Sequence, residues 1–180
     1  MRIISGKYKG RNIEGYNIIG TRPTMDRVKE SLIGIIQNKL KNSVCLDLFA
    51  GSGSIGIEFL SNGASSCYFV DNNKKVIDTI KMNINKIKIE EESHLVLNDF
   101  HKALKLFKER NIKFDIIFLD PPYQNNYIQE SLKIILEYNL LNKNGIIICE
   151  YEVEDFSCSL EIIKEKKYGS KKIRIYKNFN

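Results

Sequence analysis

The sequence of 180 residues predicts an α/β fold in which a mostly parallel sheet carries helices on both faces. From residue 43, apolar strand-like runs alternate with segments of helical periodicity, which is typical of βαβ units. The strand-like runs are continuously apolar, as expected for strands that are buried on both faces. A glycine-rich turn joins the first run to the first helix of this series, and such turns are typical of nucleotide-binding α/β proteins.

The predicted elements follow one another in a regular order. Strands are predicted at 44–49, 66–71, 94–97, 114–119 and 145–150, and helices at 54–61, 74–86, 103–109 and 128–141. Near the C-terminus, 160–164 and 171–176 flank the turn Tyr168-Gly169-Ser170 and predict an antiparallel hairpin. Near the N-terminus, 2–5 and 11–13 predict a small hairpin, which is followed by a helix at 26–40.

Length and composition limit the kind of protein. The length favours one domain over 1–180, with an N-terminal extension at 1–41 and a core at 42–180. No apolar run approaches the ~20 residues of a membrane span, and the N-terminus lacks the long apolar stretch of a signal peptide. There is no obvious surplus apolar element that would suggest a subunit interface. We therefore expect a cytoplasmic protein that does not enter the membrane and is a monomer.

The cysteines and histidines do not suggest a metal site. The four cysteines fit no metal-ligand spacing, and the chain has two histidines. Cys45, Cys67 and Cys149 lie in apolar, strand-like runs. We interpret them as small core residues of a protein in a reducing compartment, and we expect no bound metal.

The net charge of +6 is concentrated at the two ends of the chain. Residues 1–30 hold seven basic side chains against three acidic ones, and residues 164–180 hold seven against one. If the two ends share a face, they form a surface that attracts phosphates. The alternative interpretation is that these charges serve solubility.

A glycine constellation predicts a cofactor site. Gly51, Gly53 and Gly56 fit G-x-G-x-x-G between a strand and a helix, and Asp71 follows Gly51 by 20 residues, where an acid that binds ribose is expected. Taken literally, the pattern predicts a dinucleotide. The glycines let a ligand come close to the backbone, and the start of the helix can bind any anion. S-adenosylmethionine, which has a ribose and a carboxylate, therefore fits the pattern equally well.

Two further acids refine the cofactor site, and a third is left out of it. Asp47, just before the glycine loop, suits the ammonium of a methionine moiety and would repel a pyrophosphate; its alternative role is to cap the loop. Asp99 ends the third strand and could accept from an adenine amine, cap the next helix, or do both. Glu58 is interpreted as part of a solvated helix face and is left out of the site.

The sequence Asp120-Pro121-Pro122-Tyr123 follows the fourth strand and predicts a binding site for a planar amino group. The carboxylate of Asp120 and a carbonyl beside a proline can both accept hydrogen bonds from one amino group. Proline contributes no N–H and stiffens the loop. Tyr123 can lie flat against the ring that carries the amine, which points to chemistry on a nucleobase.

Two sets of motifs resemble a known family. Residues 47–53 together with 120–123 resemble the class I S-adenosylmethionine-dependent amino-methyltransferases. Residues 1–11 and 21–30 are similar to the RsmD family, bacterial enzymes that modify the N2 amine of a guanine in 16S ribosomal RNA. The resemblance covers the whole chain. Met25 stands where threonine is expected, and Ser54-Ile55 where alanine and leucine are usual; both differences are minor.

The resemblance implies a seven-stranded Rossmann-like methyltransferase core with S-adenosylmethionine as cofactor. The residues predicted to bind the cofactor are Thr24, Asp47, Phe49, Gly51, Gly53, Asp71, Asn72 and Asp99. The residues predicted to hold the target guanine are Asp120, Pro121, Pro122 and Tyr123. The residues predicted to contact RNA are Arg2, Lys7, Lys9, Arg11, Arg22 and Arg27.

Three other functions are kept as alternatives. A DNA adenine methyltransferase shares the 120–123 motif, but such enzymes usually carry an added recognition domain. An NAD-dependent oxidoreductase explains the glycines and leaves Asp47 and Asp120 unexplained. A retired methyltransferase that only binds RNA would not need an intact Asp120. The expected partner is 16S ribosomal RNA, either free, in an assembly intermediate or in the complete small subunit.

Overall fold

The computed structural model of the protein describes residues 1–15, 26–122, 126–153 and 156–180. The described helices are α1 (Asp26–Leu40), α2 (Ser54–Ser61), α3 (Lys74–Ile87), α4 (Phe100–Glu109) and α5 (Tyr127–Glu137). The described strands are β1 (Val44–Asp47), β2 (Ser66–Asp71), β3 (Ser93–Leu97), β4 (Phe114–Leu119), β5 (Leu141–Tyr151), β6 (Glu161–Tyr168) and β7 (Lys171–Lys177). The predicted alternation of strands and helices is confirmed.

The strands form one sheet in the order β3-β2-β1-β4-β5-β7-β6. The first five of these pair in parallel, whereas β7 is antiparallel to both β5 and β6. The strand order reverses at β1, which has β2 on one side and β4 on the other. In open α/β sheets, ligands bind outside the carboxyl ends of the strands at such a reversal. The predicted Rossmann-like sheet with its antiparallel C-terminal hairpin is confirmed.

Both faces of the sheet are covered by helices. On one face, α1, α2 and α3 pack against alternate strand residues such as Phe118, and on the other face α4 and α5 pack against residues such as Ile117. Cys45, Cys67 and Cys149 are buried within this core, as predicted. No helix in the described part of the chain is long and apolar enough to cross a membrane.

The predicted helix at 128–141 is wrong at its C-terminal end. α5 ends at Glu137, and β5 already begins at Leu141. Asn139 and Asn144 adopt φ values of 51° and 61°, a left-handed conformation that asparagine tolerates better than most residues. The apolar periodicity continues through Leu140 and Leu141, but Asn139 ends the helix and redirects the chain into the sheet. α4 also differs from its prediction, because it begins three residues early at Phe100.

The N-terminal residues form the predicted small hairpin. Ile3 donates from its N–H to the carbonyl of Arg11 at 3.0 Å, and Gly10 donates to the carbonyl of Ile3 at 2.8 Å. The side chains of Ile3 and Ile13 are buried in the same hydrophobic cluster as α1 and α2. The hairpin is therefore packed onto the helical layer of the sheet.

α1 contacts the basic C-terminal hairpin. The hydroxyl groups of Ser31 in α1 and Tyr168 in β6 lie 2.5 Å apart, and the Nζ of Lys166 lies 3.5 Å from the Ser31 hydroxyl. α1 therefore packs beside the C-terminal hairpin.

Candidate active site

Three acids gather at one edge of the sheet. Asp47 is the last residue of β1, Asp71 is the last residue of β2, and Asp120 directly follows β4. These strands are parallel neighbours, so their carboxyl ends meet. The site predicted from three separate segments of the sequence is thereby brought together at the reversal of strand order.

The glycine loop lies between Asp47 and Asp71. Gly51 and Gly53 adopt φ values of 51° and 72°, which turn the chain sharply from β1 into α2. The carboxylate of Asp71 accepts from the N–H of Gly51 at 3.1 Å and from the N–H of Asn73 at 2.9 Å. Burial raises the pKa of Asp71. Each of its oxygens can accept a further bond, so the carboxylate can both fix the loop and receive ribose hydroxyls.

Gly56 has a packing role that explains the third glycine of the motif. A Cβ at this position would lie 2.3 Å from the ring of Phe69 and 2.8 Å from the Sγ of Cys67. Only glycine lets α2 approach β2 this closely. The spacing of the three glycines therefore follows from loop geometry and helix packing, and it does not require a dinucleotide.

Asp47 is buried beneath the glycine loop. It is 1% exposed, and its Oδ2 accepts from the N–H of Gly56 at 3.1 Å. Burial raises its pKa to about 7, and the charge of Asp71 adds to the effect. The structure thus shows the capping role among the two that the sequence allowed, and it leaves an acidic group next to the loop where a cationic ligand group would be stabilised.

Replacing Asp47 with asparagine is expected to flatten the pH dependence of stability. A carboxyl with a raised pKa keeps its proton in the folded state while the unfolded chain releases one. The free energy of unfolding therefore falls as the pH rises from about 4 to about 7. Asparagine still accepts from the Gly56 N–H but does not titrate. Urea unfolding of the cofactor-free protein should show a slope smaller by about 1.4 kcal/mol per pH unit in the variant.

The control for this measurement is Asp78→Asn, which changes an exposed carboxylate on α3. It should leave the slope close to that of the unmodified protein. If Asp47→Asn and the unmodified protein have equal slopes, Asp47 is ionised in the folded state and the prediction is wrong.

Asp120 directly follows β4, and its charge is influenced by an acid at the end of the adjacent strand β5 and by a base at the start of β7. Pro121 is buried and Pro122 is exposed. Burial raises the pKa of Asp120 well above its usual range; Glu150 adds to the effect and Lys171 opposes it. Tyr123 lies outside the described residues.

The remaining predicted cofactor residues occupy different environments. Phe49 is half-buried, and its ring lies 5.3 Å from that of Phe100 and 6.2 Å from that of Tyr127. Asn72 is exposed directly after Asp71. The carboxylate of Asp99 caps α4 by accepting from the N–H of Lys102 at 3.0 Å, which explains why α4 begins earlier than predicted. Thr24 lies outside the described residues.

The interpretation of Glu58 as part of a solvated helix face is wrong. Its side chain has no exposed surface, and it accepts from the N–H of Ile4 at 2.7 Å and from the hydroxyl of Ser5 at 3.2 Å. The Nζ of Lys29 lies 3.6 Å from the same carboxylate. A signal was present in the sequence, since every other residue of α2 is apolar or small and all of α2 is buried. Glu58 thus joins the N-terminal hairpin and α1 to the helix that starts at the glycine loop.

The predicted RNA contacts fall at two separate places. Arg2 lies 3.4 Å from Asp26, and Arg27 is exposed, so both are at the start of α1. Lys7 donates from its N–H to the carbonyl of Ser61, and Arg11 donates to the carbonyl of Ile87. Ser61 and Ile87 end α2 and α3, at the edge of the sheet opposite to the three acids. Lys9 is exposed in the same hairpin, and Arg22 lies outside the described residues.

Two basic side chains that the site prediction did not include lie at the same edge of the sheet as the three acids. β7 is antiparallel to β5, and Lys172 pairs with Tyr151 at the carboxyl end of β5. Lys171 and Lys172 are therefore closer to Asp120 along the sheet than the N-terminal hairpin is. Only the concentration of basic residues at the C-terminus could have indicated this, because the pairing of β7 with β5 was not readable from the sequence.

Comparisons with known proteins identify relatives of this chain. A family model described as "Conserved hypothetical protein 95" matches residues 1–177. "Ribosomal RNA small subunit methyltransferase D" from Haemophilus influenzae is 35% identical over 181 residues, covering 99% of this chain and 94% of its relative.

Solved structures share the fold. The crystal structure of HI0767 from Haemophilus influenzae is 32% identical, with a TM-score of 0.81 over 99% of this chain and 98% of the other. An RNA methyltransferase from Salinibacter ruber, in complex with S-adenosyl-L-homocysteine, is 14% identical, with a TM-score of 0.67 over 87% of this chain and 93% of the other. The second similarity concerns the fold alone.

Proposed function

The chain belongs to the RsmD family, and from this premise we propose that it methylates 16S ribosomal RNA at the N2 amine of a guanine, with S-adenosylmethionine as cofactor. The observation that carries the proposal is the meeting of Asp47, the glycine loop, Asp71 and Asp120 at one edge of the sheet. The first three suit the cofactor, and Asp120 begins the motif that suits the amine.

The geometry of the glycine loop fits S-adenosylmethionine. Asp71 can receive the two ribose hydroxyls, as its oxygens retain acceptor capacity beyond the bonds to Gly51 and Asn73. Gly53, at the N-cap of α2, has no side chain to cap the helix, so the first N–H groups of α2 can face a carboxylate. Asp47 is an acid placed to stabilise an ammonium or sulfonium group. A pyrophosphate would lie against the same acid and be repelled.

The protein's part in the reaction is to hold and polarise the amine. S-adenosylmethionine, held by Asp47, the glycine loop and Asp71, would supply the methyl group to N2, and its sulfur would keep the electron pair of the broken bond. Asp120 and the carbonyl of Pro121 accept from the two N–H groups of the amine, which localises the nitrogen lone pair. These bonds strengthen as positive charge develops on nitrogen, so they stabilise the transition state more than the ground state. The methylated amine then releases a proton to Asp120 or to water.

Tyr123 is proposed to stack on the flipped guanine. Replacing it with phenylalanine should leave activity nearly unchanged, because the ring and not the hydroxyl makes the contact. Replacing it with alanine should lower kcat/KM for the RNA by roughly 10–100-fold, since stacking is worth ~1–3 kcal/mol per base. The measurement is methyl transfer to RNA under identical conditions. Equal losses in the two variants would contradict stacking.

RNA phosphates are proposed to contact the basic side chains around the start of α1, including Arg2 and Arg27, together with Arg22. Lys7, Lys9 and Arg11 could contact RNA only if it also reached the opposite edge of the sheet. We expect the protein to act as a cytoplasmic monomer.

The experiment that tests the function is methyl transfer from labelled S-adenosylmethionine to small ribosomal subunits, with mapping of the modified nucleotide. The subunits should come from a strain that lacks the endogenous activity, and duplex DNA should be a parallel acceptor. Label on one guanine N2 of 16S RNA is the expected result. Label on DNA adenine would support the alternative methyltransferase, and label on neither acceptor would contradict the proposal.

A further inference from the structure

A buried ion pair with no role assigned above lies at the carboxyl end of β5. Glu150 has no exposed surface, and the Nζ of Lys171, at the start of β7, contacts its Oε1. Because β7 is antiparallel to β5, the first residues of β7 lie at the same edge of the sheet as the last residues of β5. The pair is therefore at the edge that carries Asp47 and Asp120.

The strand register places this pair beside Asp120. Leu119 of β4 pairs with Cys149 of β5, so Asp120 and Glu150 are the next residues on two adjacent strands. Their side chains therefore share one face of the sheet. Asp47 pairs with Phe118, two residues before Asp120, and faces the same way.

Acidic groups surround Asp120 from several elements. In addition to burial, Glu150 at the end of β5, Asp47 from β1 and Glu152 directly after β5 raise the pKa of Asp120, while Lys171 from β7 lowers it. From the helices that cover this face, Lys29 and Glu58 form an ion pair with each other, with Nζ and Oε1 3.6 Å apart. Lys171 is thus the base that offsets the carboxylates next to Asp120 in the described part of the chain.

We propose that Lys171 is a positioning residue for methyl transfer, which offsets the negative charge of Glu150 so that Asp120 keeps the charge it needs to accept from the target amine. This inference rests on the proposed function, because it takes Asp120 as the group that holds that amine. A protonated Asp120 would present a donor where the amine requires an acceptor. The C-terminal hairpin, which brings Lys171 to this edge, is then part of the catalytic apparatus as well as of the sheet.

The test compares how kcat/KM for the RNA depends on pH, at saturating S-adenosylmethionine, in several variants. Lys171→Met removes the ammonium, Glu150→Gln removes the carboxylate, and the double variant removes both. Lys171→Arg keeps the positive charge. Lys177→Met is the matched control, because it removes a lysine from the other end of β7. Melting temperature and cofactor affinity are measured for each variant, so that a folding defect is recognised.

The two single variants should move the acidic limb of the profile in opposite directions. Lys171→Met removes a positive charge from beside Glu150 and Asp120, so the limb should move to higher pH by about one unit and kcat/KM at pH 7 should fall about tenfold. Glu150→Gln leaves Lys171 acting on Asp120, so the limb should move to lower pH. The double variant should lie between them. Lys171→Arg and Lys177→Met should keep the original limb.

Opposite shifts would support the inference, because a purely structural role would lower activity equally at every pH. Shifts in the same direction, or a uniform loss, would overturn it. If Lys171→Met does not fold, Glu150→Gln still decides, since its limb must move to lower pH. An inactive unmodified protein would overturn the proposed function and this inference together. An active protein whose variants keep the same limb would overturn this inference alone.

Discussion

Replacing Asp120 with alanine is expected to lower kcat/KM for the RNA by about 10²–10³-fold, which is the effect of removing one preorganised partner of a transition state. The affinity for S-adenosylmethionine should change by less than about twofold, because Asp47, the glycine loop and Asp71 remain in place. Methyl transfer to RNA and calorimetric titration with the cofactor measure the two quantities separately.

The physical reason is the difference between the two states that Asp120 contacts. The amine of the substrate is nearly planar and neutral, whereas the nitrogen in the transition state carries positive charge. A carboxylate therefore stabilises the transition state more than the bound substrate, and its removal affects catalysis more than binding. The fold should tolerate the change, since burial raises the pKa of Asp120 and a buried carboxyl of this kind does not favour the folded state at neutral pH.

Two comparisons make the result specific. Asp120→Asn keeps one acceptor without the negative charge and should lie between alanine and the unmodified protein. Asp78→Ala, which removes an exposed carboxylate on α3, should have no effect on transfer. Near-normal activity of Asp120→Ala would contradict the mechanism, and a large loss of cofactor affinity would assign Asp120 to the cofactor site instead.

The part of the site that could be predicted consists of residues that follow parallel strands. Asp47, Asp71 and Asp120 each follow an apolar run, and the carboxyl ends of adjacent parallel strands meet at one edge. A sequence pattern can therefore place such residues together without any knowledge of side-chain contacts. The order of the strands came from the family resemblance, because periodicity carries no information about which strands are neighbours.

The part that could not be predicted depends on packing between distant segments. Glu58 is buried because the N-terminal hairpin lies over α2, and Lys171 contacts Glu150, beside Asp120, because β7 pairs with β5. The apolar neighbours of Glu58 indicate a buried helix, but no local pattern in the sequence identifies the partners of Glu58 or Lys171. The end of α5 was missed for a different reason, since the apolar periodicity continues past Asn139 while the backbone of that residue does not remain helical.

Replacing Lys29 with methionine is expected to destabilise the protein by about 3–5 kcal/mol, the range for breaking a buried ion pair. Lys29 is 1% exposed; its Nζ lies 3.6 Å from Glu58 and donates to the carbonyl of Arg2 at 3.1 Å. Methionine fills the space but leaves Glu58 as an uncompensated buried carboxylate. Chemical denaturation at pH 7 measures the change in the free energy of unfolding.

The matched control is Lys74→Met, which breaks the exposed pair of Lys74 with Asp78 and should cost less than about 1 kcal/mol. The double variant Lys29→Met with Glu58→Gln should recover much of the stability, because glutamine carries no charge and can still accept from the Ile4 N–H. If Lys29→Met costs no more than Lys74→Met, the buried pair does not stabilise the fold. A large cost that the double variant recovers would show that the loss of stability comes from the charge of Glu58, which Lys29 compensates in the unmodified protein.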